Sequence, residues 1–146
     1  MPAPVLSGLL LLLLSGCSMV GQVAGVDHSV APTSFDTRTT ALTLQKTDVG
    51  GIESVVARDS NDAAQIDSVR NLLRNQMAQF QQGNYQDPAR EHGMPMPGSK
   101  ELEAGYTRVQ LGYTDLPAGG QITYTASDPS LVDAVHAWFD RRELAH

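Results

Sequence analysis

The hydrophobic pattern of this chain switches twice from a period of two to a period of about 3.6, in the same order each time, and this repeated switch sets the fold class. In ALTLQKT (41–47), Leu42 and Leu44 alternate with Thr43 and Gln45, as in a half-buried strand. DVGG (48–51) is turn chemistry, and IESVVAR (52–58) reads as a second strand. The next stretch, NDAAQIDSVRNLLRNQMAQFQQGN, reads as a helix. Asp62 stands as N-cap with Gln65 three residues later, the spacing of a capping box. Ile66, Val69, Leu73, Met77 and Phe80 recur at intervals of three and four and form one apolar stripe, and Gly83 is the stop.

The second half follows the same plan. Val109, Leu111 and Tyr113 alternate, DLPAGG (115–120) turns the chain, and Ile122, Tyr124 and Ala126 alternate again. Asp128-Pro129 opens a helix, with Pro in the first turn, where its missing N–H costs nothing. Leu131, Val135 and Trp138 form its inner stripe, flanked by Val132 and Phe139. The expected fold is α+β, ββα-ββα, with a four-stranded, mainly antiparallel sheet and two helices packed on one face. A half-repeat by duplication is one reading of the common plan, but residue-by-residue similarity between the halves is low, and convergent patterning is the preferred one.

Ahead of this domain, Val5 to Leu14 is apolar. A bilayer-spanning helix needs about 20 apolar residues, so the run has the length of a signal-peptide core instead. Leu14-Ser15-Gly16-Cys17, which holds the only cysteine, resembles a bacterial lipobox. The resemblance implies a lipoprotein signal peptide over residues 1–16 and acylation of Cys17, for example with palmitate, as the first residue of the mature protein. Two acyl chains hold a protein stably on a membrane, whereas one binds only marginally. Ser18 follows where Asp would resemble an inner-membrane retention signal, so the expected location is the bacterial cell envelope, on the periplasmic face and at the outer membrane. The leader departs from the usual pattern in having no Lys or Arg ahead of the leucines; the first is Arg38.

Residues 17–34 are rich in Gly, Ser, Val and Ala without a period and read as a flexible, lipidated tether. Residues 35–146 then make one small domain. With Cys17 acylated no thiol remains, so this domain has neither disulfides nor a cysteine metal site and depends on its apolar core. A net charge of −6 argues against nucleic acid as a partner. The membrane, through the acyl chains, and an envelope protein are the expected partners.

Two stretches carry chemistry. Residues 84–105 form a long connection, which in a small domain is often functional. At its centre HGMPMPG places His92, Met94 and Met96 within five residues. Thioether and imidazole ligands together suit soft ions such as Cu(I), while methionine also fills irregular core gaps. In the last helix His136 and Asp140 are four apart, Glu143 follows, and His146 lies beyond. A carboxylate at this spacing either shares a divalent ion such as zinc with the imidazole, orients it for acid–base work, or makes a plain rim contact. The candidate metal set is therefore His92, Met94, Met96, His136, Asp140 and His146, with copper or zinc as the ion.

From His92 onward, HGM.MPG, then Y..LP.G..I.Y...DP.LV.A.H.WFD and a closing His, resemble a group of small exported bacterial proteins often labelled aspartate carbamoyltransferase. The resemblance covers about two-thirds of the chain and implies one shared small domain. In that group a His stands in the first helix near the position of Asn71, which this chain lacks. The label does not transfer as an activity. FDTRTTA (35–41) echoes a carbamoyltransferase phosphate loop, but Asp36 would repel phosphate and the chain has no room for two α/β domains. There is no nucleophile motif and no Gly-rich phosphate loop. The reading is a non-enzymatic, lipid-anchored envelope protein that binds a small ligand, a metal ion or an envelope partner through the 90–98 loop and the last helix. The alternatives are a small metal-assisted enzyme using His136 and Asp140, or a structural lipoprotein that docks a partner through its sheet edge or the Gln-rich helix surface around Gln76, Gln79, Gln81 and Gln82.

Overall fold

The two alternating stretches form two hairpins of equal size. The computed structural model describes residues 35–85 and 96–144. Strands β1 (Thr40–Thr47) and β2 (Gly50–Ala57) are joined by Asp48-Val49, and β3 (Val109–Leu116) and β4 (Gly119–Ala126) by Pro117-Ala118. The sheet order is β1-β2-β4-β3 and every pairing is antiparallel. The two second strands therefore lie at the centre, where Glu53 faces Ile122 across the ladder. Their glycines permit this closeness. A Cβ at Gly50 would overlap the carbonyl oxygen of Tyr124, and one at Gly119 would overlap that of Val55.

Helix α1 (Ala63–Phe80) begins as the sequence predicts, with the Asp62 side chain accepting from the Gln65 N–H at 3.0 Å. The last helix, here α3 (Pro129–Glu143), is capped by Asp128 Oδ1, which accepts from the Ser130 N–H at 3.0 Å. Such caps contribute about 1 kcal/mol each. Both helices cover the same face of the sheet, but each reaches across the middle. α1 packs on β4, β2 and β3, whereas α3 packs on β2, β4 and β1.

The α+β sheet architecture is as expected, except that there are three helices among the described residues rather than two. α2 (Ser99–Gly105) lies in the stretch read as a loop, and a 3-10 turn follows at Tyr106–Arg108. Pro97 and Gly98 hid it, and a helix of this length shows no apolar stripe: of its three buried residues, Ser99, Leu102 and Gly105, only Leu102 is a large apolar one. It packs along α3. Gly98, at φ 84°, sits against the backbone of Ala134, where a Cβ would collide with the carbonyl.

The core lies between the sheet and the helices. Val55, Leu73, Leu102, Ile122, Val135 and Trp138 are almost wholly removed from water. Its aromatic part is a cluster in which Phe80 stacks on Tyr85 at 4.6 Å and meets Trp138 edge-on at 5.2 Å. Such pairs add about 0.5–1.5 kcal/mol beyond area burial. No helix among the described residues is long and apolar enough to cross a membrane.

Candidate functional site

The last helix carries the groups that the sequence singles out, and the fold uses them separately. His136 Nε2 lies 2.9 Å from the carbonyl oxygens of both Thr47 and Gly50. Carbonyls only accept, so Nε2 bears the proton and donates to both. The imidazole thereby ties α3 to the β1–β2 turn. Asp140, one helical turn on, forms an ion pair with Lys46 of β1. His136 and Asp140 are thus each engaged with the first hairpin. Met96 is buried in the core cluster, as a gap-filling methionine is. Cys17, His92, Met94 and His146 lie outside the described residues. Among the described residues no group of three or more His, Cys, Asp or Glu side chains is placed to hold a metal ion. An open hollow of about 270 Å³ at the β1 edge is lined by Leu42, Thr43, Leu44 and Glu143.

The strongest electrostatic feature is one that motif reading passes over. Glu53, at the centre of β2, is fully buried. Arg142 Nη2 donates to its Oε1 at 2.7 Å, and Tyr124 Oη and Gln76 Nε2 each donate to its Oε2 at 2.7 Å. Burial alone would raise the Glu53 pKa. The Arg142 charge and these three hydrogen bonds outweigh it and hold the carboxyl below its ordinary value. Burial likewise opposes the charge on Arg142, and Glu53 reverses this, raising the guanidinium above its ordinary value. Burial and the Glu53 charge push the Tyr124 hydroxyl well up, so it stays a neutral donor. The Arg142 guanidinium also lies over the Trp138 ring at 4.7 Å. The available signal was positional. Glu53 shares the parity of Val55 and Ala57, so any register that buries those residues buries the carboxylate too.

Beside this network Tyr85 Oη, Trp138 Nε1 and Arg142 Nη1 are buried and have no hydrogen-bond partner among the described residues. Burial pushes the Tyr85 hydroxyl up to about 12, so it too remains neutral. The N-terminal stretch read against a phosphate loop forms a closed turn. Asp36 Oδ1 accepts from the Arg38 N–H and Nε–H at 2.9 and 3.0 Å, and Oδ2 accepts from Nη2 at 2.7 Å. Those bonds hold the Asp36 carboxyl down at about 2.

The geometry describes a scaffold whose interior charges are neutralised by partners. Glu53 is fully buried and is held by three donors, which together favour its charged form. Comparison with family models, with curated proteins and with solved structures gives no match.

Proposed function

We propose that the protein is a lipid-anchored component of the bacterial envelope, held by acyl chains on Cys17, whose domain acts as a non-enzymatic binding module. Residues 90–98 and α3 form its contact surface, and an envelope protein is the partner. The observation that supports this surface is where the two ends of residues 86–95 meet the fold. On one side Tyr85 is buried, with its ring 6.0 Å from Trp138 of α3. On the other side Met96 is buried and Gly98 abuts Ala134 of α3. Both ends are thus fixed on the same helix. The engagement of His136 with the β1–β2 turn and of Asp140 with Lys46 favours a macromolecular partner over an ion held between those two residues.

The test uses the full chain in bacterial cells. Labelled palmitate should enter the protein, and Cys17→Ser should abolish the label and release the chain from membranes. A photoreactive residue at Met94 or at exposed Asp133 should then yield adducts with an envelope protein. Unlabelled, soluble wild-type protein would refute the anchor. An anchored chain that gives no adduct from either position would refute the contact surface.

A further inference from the structure

The sheet has two faces of opposite character. All three charged residues of its strands, Lys46, Glu53 and Asp115, stand on the helix side. The outward positions carry no charge at all, in a chain of net charge −6. One outward row runs Thr43, Ser54, Gln121, Thr114 across all four strands, and Ile52 and Thr123 lie beside its centre. Thr43 and Thr114 are exposed and the other four half-buried, and none of the described helices packs on this side.

We infer that this outward face is a self-association surface that takes a second copy of the chain, sheet against sheet. Charge depletion marks the core of protein interfaces. Here it also keeps like charges out of the contact itself, in a chain whose net charge is −6. The dimensions suffice. Four strands spaced about 4.8 Å, rising about 3.4 Å per residue, make a face of roughly 500 Å². Two copies would bury roughly 1,000 Å², the lower bound for a specific interface. The sheet edges are poorer candidates. β1 and β3 each carry an inward-pointing charge near one end, Lys46 and Asp115, a device that discourages edge-to-edge pairing.

The experiment places a photoreactive residue at exposed Thr43 or Thr114 in the full chain expressed in bacterial cells, with exposed Glu101 of α2 as the control position. Adducts of twice the chain mass are expected from the two face positions and not from the control. Thr123→Arg, and separately Ser54→Arg, should cut their yield by about tenfold or more, because like charges would then face each other across the two-fold. Thermal melting of each purified variant checks that the fold is kept. Monomer bands alone, adducts only with other proteins, or dimer adducts unchanged by both folded Arg variants would overturn the inference.

Discussion

The first ββα unit, residues 40–80, and the second, residues 109–143, share one layout but fill it with different chemistry. Their strands match at a constant offset of 69 residues, Thr40 with Val109 and Gly50 with Gly119. From the caps Asp62 and Asp128 onward the offset is 66. Arg70 and His136 then occupy matching places. Arg70 donates from Nη2 to Leu116 O at 2.8 Å and from Nε to Gly119 O at 3.0 Å. His136 donates to Thr47 O and Gly50 O, the matching carbonyls of the other turn. Arg74 pairs with Asp115, and at the matching positions Asp140 pairs with Lys46 with the signs exchanged. Each helix thus ties down the hairpin of the opposite unit, so neither unit is complete alone. Shared patterning does not account for this correspondence of individual contacts, and the low sequence similarity conceals a pseudo-two-fold.

The two units differ most at the centre. Where the first has Glu53 the second has Ile122, and Tyr124 and Arg142 stand where Val55 and Gln76 stand in the first. The second unit supplies two of the three groups that hold Glu53. Replacing one member of a buried pair strands the other, whereas replacing both with apolar groups removes the desolvation cost along with the attraction. Glu53→Ile alone should therefore lose about 3–5 kcal/mol. Adding Arg142→Met should restore stability to within about 1–2 kcal/mol of the natural protein, measured by urea unfolding. Acid gives an independent check. The folded Glu53 carboxyl titrates below its ordinary value of 4.5, so its contribution is present above that pH and is lost as pH falls through the folded value. The double variant should lose less stability than the natural protein below pH 4.5. Equal acid slopes would mean that Glu53 does not specify the centre.

This centre marks the limit of what the sequence reveals. Strand alternation, the Asp caps and the apolar stripes were legible because each is local, and they yielded the sheet, the turns and both long helices. Glu53 was not, because a carboxylate on a strand is read as exposed unless its partners are known, and Arg142 lies 89 residues away. His136 failed differently. The Asp140 spacing suggested a local pair, but the groups that engage both residues sit on another element. For α2 the signal was too short to show a period.

The two staples give the next largest effect. Arg70 is a charged donor to two carbonyls, and its loss in Arg70→Ala should cost about 1.5–3 kcal/mol. His136→Ala should cost about 1 kcal/mol. The distinguishing measurement is local. Hydrogen exchange should quicken at Ala118 and Gly119 when Arg70 is removed, and at Val49 and Gly50 when His136 is removed, with the opposite turn unchanged in each case. If both turns loosen together in either variant, the staples are not separate and the pseudo-two-fold account of them fails.

The exchanged ion pairs make the smallest and most discriminating test. Lys46 and Asp140 are about half exposed, so their coupling should be near 0.5 kcal/mol by double-mutant cycle and should shrink in concentrated salt. Lys46→Asp with Asp140→Arg would copy the polarity of the second unit and should restore what Lys46→Asp alone loses. The copy should still couple more weakly than Arg74 with Asp115. Asp115 also accepts from the Tyr113 hydroxyl at 2.6 Å and has Arg70 Nε at 3.6 Å, whereas the first unit offers Leu44 and His136 in those places. The Tyr113 hydrogen bond, followed by the Arg74 and Arg70 charges, outweighs burial and holds the Asp115 carboxyl below its ordinary value, so the surrounding web strengthens that pair. Leu44→Tyr in the exchanged background should therefore close part of the gap. If it does not, the surrounding groups are not what separates the two pairs, because the exchange has already matched their polarity.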